Sequence, residues 1–374
     1  MVKYFAVPKE LKAGETRVSL TPDVIGMLPK EERGVLVEKD AGLLAGFSNE
    51  EYEKAGAEIV SNPEELWSRA TYILKIKEPQ VEEYKFFNSK HVLLAYLHLD
   101  NEKQLAEELL KRKVCSVSLE RIHTKNGERP ILSPMSQVAG RIAIQAGAKF
   151  LERTMGGSGI LLGGVPGVSA GKVVIIGGGT VGLNAAKVAH GMGADVSVLD
   201  VNHKKLAKID LAFNGGVKTF YSNPMTIARE ARDADILIGA VYAQGKMPKL
   251  VTADIVKQMK KGSVVMDVAI DQGGVIETID RITTHENPVY EKYGVLHYAV
   301  PNVPSTVPKT ASLAFSYAMF PYLHQICEEG IIAAIKKNEV FATGVSTFNG
   351  MVTSEKLADI LDKEHTELSM IVGF

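Results

Sequence analysis

Five polar residues share one kind of address in this chain. Each lies at or just beyond the end of a short apolar run that reads as a β-strand. Arg17 lies in "PKELKAGETRVSLTP" after "KYFAV", Lys77 ends "YILKI", and His98 ends "HVLLAYL". Asp271 ends "SVVMDVAI", and Asn302 follows "VLHYAV" in "PNVPST". In open α/β sheets ligands bind outside the carboxyl ends of the strands, so this address concentrates chemistry. Two cations, an imidazole and a carboxylate suit a small carboxylate-bearing substrate. Arg17 would bind it by its planar fork and Lys77 as a point charge. His98 could move a proton near neutral pH, and Asp271 could hold a water or an amino group. Taken singly, each residue has a plainer reading. A histidine among leucines also reads as a satisfied core residue. Arg17 and Lys77 also read as solvated charges, and Asp271 and Asn302 as turn residues.

A second constellation lies in "KVVIIGGGTVGLNAAKVAHGMGADVSVLDVN". It holds G-x-G-x-x-G as Gly177, Gly179 and Gly182, between a strand and a helix, and a second strand follows that ends in Asp200. The first glycine allows a tight turn, and the second lets the backbone approach a pyrophosphate at the helix N-terminus. The third lets the helix pack close to the strand. Thr180 and Val181 open that helix. Asp200 can accept both adenosine ribose hydroxyls and would repel a 2′-phosphate, which favours NAD over NADP. The basic pair Lys204 and Lys205 in "NHKK" works slightly against that choice. The glycine-rich stretch 156–171 reads equally as a second anion-cradling loop or a flexible connection.

The elements that must position these residues alternate between strands and helices, the pattern of parallel sheets. Six strands are expected in the first third and six more from residue 172 onward. Residues 101–112 read as a helix capped by Asp100, another helix is expected to start near Pro79, and 133–154 reads as a long helix. After 306 the chain reads as mainly helical. With 374 residues, two domains are expected. The arrangement is discontinuous: 1–130 with 306–374 as a substrate domain, and 131–305 as an NAD-binding Rossmann domain. The fold class is thus α/β, two Rossmann-like doubly wound parallel-sheet domains with a cleft between them.

The net charge of -1, without a long run of one sign, argues against nucleic acid or an acidic membrane surface as partner. The two cysteines, Cys115 and Cys327, make neither a disulfide framework nor a metal site, and no metal is expected. A reducing cytoplasm fits. The N-terminal "MVKYFAVPKELK" lacks the apolar core of a signal peptide. The most apolar span, 311–326, contains Pro321 and His324 and reads as a buried helix rather than a membrane crossing.

The chain resembles the alanine dehydrogenases, in the family they share with the NAD-binding subunit of proton-translocating transhydrogenase. The resemblance runs nearly end to end. It rests on "VPKELKAGETRVSLTP", "AGLLAGFSNEEYEKAGAEI", "LKIKEP", "YLHL", "SPMSQVAGR", "GGVPGV", the glycine motif above, "GSVVMDVAIDQGG" and "VPNVPSTVPKT". It implies reversible oxidative deamination, in which L-alanine, NAD and water give pyruvate, ammonium and NADH. It implies Arg17 and Lys77 at the substrate carboxylate, Tyr96 and Met135 beside the substrate, and His98 and Asp271 in acid/base work. Ser136 and Asn302 join Gly177, Gly179, Thr180, Val181, Gly182, Asp200 and Lys205 in the implied cofactor set. The implied assembly is a homohexamer. The segment 239–251 looks about a residue shorter than the family's usual version. Two other activities fit parts of this pattern: a hydride-relay subunit of a transhydrogenase, and a reductase joining an amino acid to a keto acid through an imine. A scaffold that binds NAD only for stability is a third possibility.

Overall fold

The computed structural model describes residues 3–29, 33–241, 247–270 and 273–373. The chain divides into two compact units, Met1–Met135 with Ser305–Phe374, and Ser136–Pro304. The sequence reading draws its breaks a few residues away, after 130 and 305.

The first unit is built on β1 (Lys3–Val7), β2 (Arg33–Glu38), β3 (Glu58–Val60), β4 (Ala70–Lys77), β5 (Val92–Tyr96) and β6 (Cys115–Ser118). These strands are parallel and lie in the order β3-β2-β1-β4-β5-β6. Both faces are covered, as an all-parallel core requires. Alternate residues point to opposite faces, so Phe5, Val7, Tyr72 and Leu74 join one apolar cluster and Ala6, Ile73, Leu93 and Trp67 join another. The first cluster is completed by the helix Pro308–Glu329 through Phe315, Met319 and Leu323. That helix contains the apolar span 311–326. Among the described residues no helix is long and apolar enough to cross a membrane.

The second unit is built on β7 (Lys172–Ile176), β8 (Asp195–Asp200), β9 (Lys218–Tyr221), β10 (Ile236–Gly239), β11 (Val264–Asp267), β12 (Val289–Lys292) and β13 (Val295–Tyr298). Its parallel strands run β9-β8-β7-β10-β11-β13, the strand order of a dinucleotide-binding sheet. The first six strands of the other unit repeat that order.

Two local expectations need correction, and the sheets carry antiparallel edges. Neither sheet is purely parallel. In the second unit β12 pairs antiparallel with β13. In the first, the region beyond 306 is mainly helical, as expected, but it also holds β14 (Val345–Phe348), which pairs antiparallel with β6 and with β15 (Met351–Val352). Asn349 and Gly350 both have positive φ between these strands, the tight hairpin turn that an Asn-Gly pair favours. Strands of four and two residues are too short to show a period, so the turn pair was the only local signal. Asp100 does not cap the helix Lys103–Lys111, whose N-cap is Glu102; it pairs instead with Arg121 and Lys356. The segment after Pro79 forms a short 3-10 helix, Val81–Phe86, and the long central helix is Leu132–Phe150.

Phe315 is 1% exposed and packs edge-on against Tyr96, with ring centroids 5.4 Å apart. Truncating a buried aromatic costs about 3–5 kcal/mol. Phe315→Ala is expected to lower the unfolding free energy by that much, seen as a drop in urea midpoint read through the fluorescence of Trp67, the only tryptophan and buried in the same unit. An unchanged midpoint would mean that the helix contributes little to this core.

Candidate active site

In the first unit, Lys77 and His98 lie at or just past the ends of β4 and β5, and Arg17 lies in the loop that follows β1. In each case a buried glutamate bonds two consecutive backbone N–H groups, the second belonging to the expected residue. Glu15 Oε1 accepts from Thr16 N at 3.1 Å and Arg17 N at 2.9 Å. Glu10 accepts from Ile76 N at 2.5 Å and Lys77 N at 3.3 Å. Glu120 accepts from Leu97 N at 3.1 Å and His98 N at 2.9 Å.

The side chains follow from this frame. Arg17 is 3% exposed. Its Nε and Nη2 donate to Glu15 at 2.7 and 2.5 Å, and its Nη1 donates to Met135 Sδ at 3.2 Å. Burial works against the guanidinium's charge, but the hydrogen bonds and attraction from Glu15 outweigh it and hold Arg17 above its ordinary value. The Nε–Nη2 edge, which the sequence reading would give to a ligand, is therefore engaged by Glu15. Tyr96 is buried, and its hydroxyl donates to the Ile131 carbonyl at 2.8 Å. Burial raises the Tyr96 phenol well above its usual range, so it is a neutral hydrogen-bonding wall.

His98 is half-buried, with its ring 6.5 Å from that of Tyr96 and its backbone at φ 47°, in the left-handed region. Burial, then the positive charge of Lys77, hold its imidazole down at about 4. A neutral imidazole at pH 7 is a proton acceptor. Beneath Lys77, Lys75 is 1% exposed and sits between Glu10 and Glu83 at 3.5 and 3.0 Å. Burial pushes the Glu10 carboxyl up to about 7 against the pull of Lys75. Lys12 pairs with the buried Glu78. Arg17, Lys77, Tyr96, His98 and Met135 thus belong to one unit and are linked by contact or charge.

In the second unit the glycine turn behaves as its spacing requires. Gly177 has φ 111°, and a β-carbon there would lie 2.4 Å from the Ala240 carbonyl oxygen. A β-carbon on Gly182 would lie 1.8 Å from the Gly177 oxygen, so the helix Thr180–Gly191 packs against the turn backbone. Gly179 has nothing within 4 Å, which is the open approach a pyrophosphate needs. No side chain caps this helix, so Gly179, Thr180, Val181 and Gly182 present its amino end. Asp200 is not an exposed acid. It is buried at the end of β8 and accepts from Gly178 N at 2.7 Å and Asn202 N at 2.8 Å, with Lys205 at 3.4 Å. The acid and the glycine turn are therefore locked together. The residues fit a dinucleotide: open space at the phosphates, donors around it and a fixed carboxylate for a ribose.

Ser136 follows Met135 in the helix Leu132–Phe150, and Asn302 lies beyond β13 at φ 54°. A β-carbon on Gly140 of that helix would lie 2.2 Å from the Val181 oxygen, so the helix lies close to the amino end of Thr180–Gly191. The stretch 156–171 forms turns with two residues bridged, Val165 and Val168. Asp271 lies outside the described residues, as do 242–246 in the segment 239–251. Among the described residues no group of three or more His, Cys, Asp or Glu could hold a metal ion. The sequence reading missed the three glutamates. Glu120 ends "VCSVSLE", the same kind of strand end that singled out the other five, and that rule applied to it would have found it.

Models of the two domains of alanine dehydrogenase/PNT match this chain, the N-terminal domain over residues 6–139 and the C-terminal domain over 143–355. The chain is 50% identical to the alanine dehydrogenase of Bacillus subtilis over 360 residues, covering 96% of this chain and 95% of the relative. It is 47% identical to that of Staphylococcus epidermidis over 363 residues, covering 97% and 98%. A solved L-alanine dehydrogenase superposes with a TM-score of 0.92 at 40% identity, covering 96% of this chain and 99% of the other. A transhydrogenase from Sinorhizobium meliloti superposes with a TM-score of 0.80 at 24% identity, covering 94% and 99%, which establishes a shared fold.

The glycines give a paired test. Gly179→Ala is expected to leave the melting temperature unchanged and to abolish dinucleotide binding, because its β-carbon enters open space that the phosphates need. Gly182→Ala is expected to lower the melting temperature itself. Thermal melts with a binding titration read both, and equal melting of the two variants would refute the division of roles.

Proposed function

The chain belongs to the alanine dehydrogenase/PNT family, and on that footing we propose that it catalyses the reversible oxidative deamination of L-alanine with NAD. The supporting observation is the half-buried, neutral His98 beside Lys77, in the unit that also holds Arg17. A subunit that only relays hydride between nucleotides has no need of a proton-moving imidazole.

The reaction consumes L-alanine, NAD and water and yields pyruvate, ammonium, NADH and a proton. The pyridine nucleotide, when bound, takes the hydrogen and its electron pair from the substrate Cα. Gly177, Gly179, Thr180, Val181 and Gly182 would hold its pyrophosphate, Asp200 its adenosine ribose, and Ser136, Lys205 and Asn302 would complete the set. Asp200 favours NAD over NADP because its carboxylate would meet a 2′-phosphate with like charge.

Arg17 and Lys77 bind the substrate carboxylate. Since Glu15 holds the Nε–Nη2 edge of Arg17, the carboxylate meets the guanidinium from its Nη1 side, beside Met135. The substrate ammonium first gives up a proton, and loss of hydride from Cα of the free amine then gives a protonated imine. His98, neutral at working pH, accepts a proton from the water that adds to the imine carbon. It returns that proton to the nitrogen, then takes the hydroxyl proton as the carbinolamine collapses to the ketone and ammonia leaves, and that proton makes the ammonium. Asp271 shares this acid/base work by orienting the water or the ammonium. Tyr96, held neutral, walls the substrate without competing for the proton. We assign the working form to a cytoplasmic homohexamer.

The decisive assay is NADH oxidation by the purified chain with pyruvate, with and without ammonium. Ammonium-dependent oxidation is expected. Oxidation without ammonium would mean a hydroxy-acid dehydrogenase, and a higher rate with a second amino acid in place of ammonium would mean an imine-forming reductase. His98→Ala is expected to keep NADH binding and lose about 10²–10⁴-fold in turnover, the usual effect of removing a general acid/base. A folded, fully active His98→Ala would return the residue to a packing role. Asp200→Ala is expected to weaken NADH and narrow its advantage over NADPH; an unchanged cofactor ratio would remove Asp200 from the ribose.

A further inference from the structure

His98 is held by something other than its own strand. β5 ends at Tyr96, and His98 lies two residues beyond at φ 47°, a conformation that residues with a β-carbon rarely adopt unaided. Its carbonyl accepts from Asn101 N at 2.8 Å and Glu102 N at 3.2 Å, which fixes the turn that follows. On the amide side Leu97 and His98 donate to Glu120, one oxygen for each, from the segment just after β6. Glu120 is 9% exposed. Burial pushes its carboxyl up to about 7, although its own backbone N–H and those of His98 and Leu97 pull the other way.

We propose that Glu120 is a positioning residue for His98: by bridging the amides of Leu97 and His98 it keeps the imidazole's Cα in the left-handed conformation from which the ring moves protons. The inference rests on the reading of His98 as the proton carrier. Without the bridge two buried N–H groups lose their acceptor, and the backbone gains by rotating toward extended geometry. That rotation swings the Cβ of His98 and carries the ring with it. The carboxylate clamp is independent of this event. Arg17 is braced by Glu15 and Lys77 by Glu10, through bonds other than those Glu120 makes to Leu97 and His98. Loss of Glu120 therefore separates proton transfer from substrate binding.

Glu120→Gln in the full chain is the test, because its amide nitrogen cannot accept and at most one of the two N–H bonds survives. With pyruvate, ammonium and NADH, kcat is expected to fall on the order of 10²-fold, the scale of a modest misplacement of a reacting group. The KM for pyruvate and the affinity for NADH are expected to stay unchanged. The second reading is a double-mutant cycle. His98→Ala retains a measurable residual rate, and adding Glu120→Gln to it is expected to lower that rate no further. Losses that multiply would show Glu120 acting independently of His98 and overturn the proposal. So would an unchanged kcat, or a rise in pyruvate KM that accounts for the whole effect. A fully active His98→Ala would instead sink the proton-carrier reading, and the inference with it. If Glu120→Gln does not accumulate folded, Glu120→Asp, which keeps the charge and shortens the reach by one methylene, enters the same cycle. Its smaller loss is likewise expected to vanish in the His98→Ala background.

Discussion

A parallel strand that ends leaves its last backbone N–H groups without a ladder partner, and this chain meets that demand with buried carboxylates. Left unpaired, each such group costs about as much as a lost hydrogen bond. Water is one remedy, but it would place loose solvent beside the reacting atoms. A carboxylate accepts several bonds at once, so Glu15, Glu10 and Glu120 each serve two neighbouring amides in the first unit. Asp200 does the same in the second unit by joining the glycine turn to the end of β8. Asp267 repeats the device, accepting from Ala269, Val275 and Ile276 around the segment that carries "DQGG". The strand ends are thereby made rigid, and rigid strand ends are what a reaction needs.

Both units use the same parallel strand order, yet they solve different binding problems. The second offers backbone. Its glycines remove side chains so that a helix amino end is accessible, and Gly182 allows an approach that any β-carbon would forbid. The first offers side chains. Its strand-end loops are long and polar, and the helix Pro308–Glu329 helps to satisfy them: Ser312 accepts from Val18 N at 3.0 Å and Ser316 from Thr21 N at 3.1 Å. The C-terminal region is thus part of the scaffold that shapes the segment bearing Arg17, which explains why the chain returns to its first unit after completing its second.

Much of this was legible in the sequence because the signals were periodic or stereochemically forced. The parallel strands are apolar runs that alternate with helices, and G-x-G-x-x-G permits few other backbones. The strand-end rule located Arg17, Lys77 and His98 because it depends on topology and not on residue type. The hairpin Val345–Val352 was hidden because two strands of four and two residues carry no period, and only Asn349-Gly350 marked it. The glutamate bridges were hidden for a different reason. Glu120 shares the strand-end address, but Glu10 bonds to a strand distant in sequence, so nothing local separates it from the other acids of a chain with 44 Asp and Glu. Their role is a property of strand neighbours, and neighbours are set only when β4 lies between β1 and β5, and β6 beside β5.

The buried ions of the first unit also bear on why its residues are charged at all. A buried ion pair is a poor source of stability, since desolvation offsets most of the attraction and a well-packed apolar substitute is often as stable or better. Lys75 with Glu10 and Glu83, and Arg17 with Glu15, are such groups. Their geometry serves direction instead. Burial pushes the Glu10 carboxyl up to about 7 while Lys75 pulls the other way, so Lys75 favours the anion whose two oxygens accept from the amides of Ile76 and Lys77. Lys75 therefore acts on Lys77 through a carboxylate, without touching a substrate. An apolar residue at 75 would leave Glu10 to protonate and release one amide, loosening the strand end that aims Lys77. The charge beneath the site is retained because it fixes the charge within it.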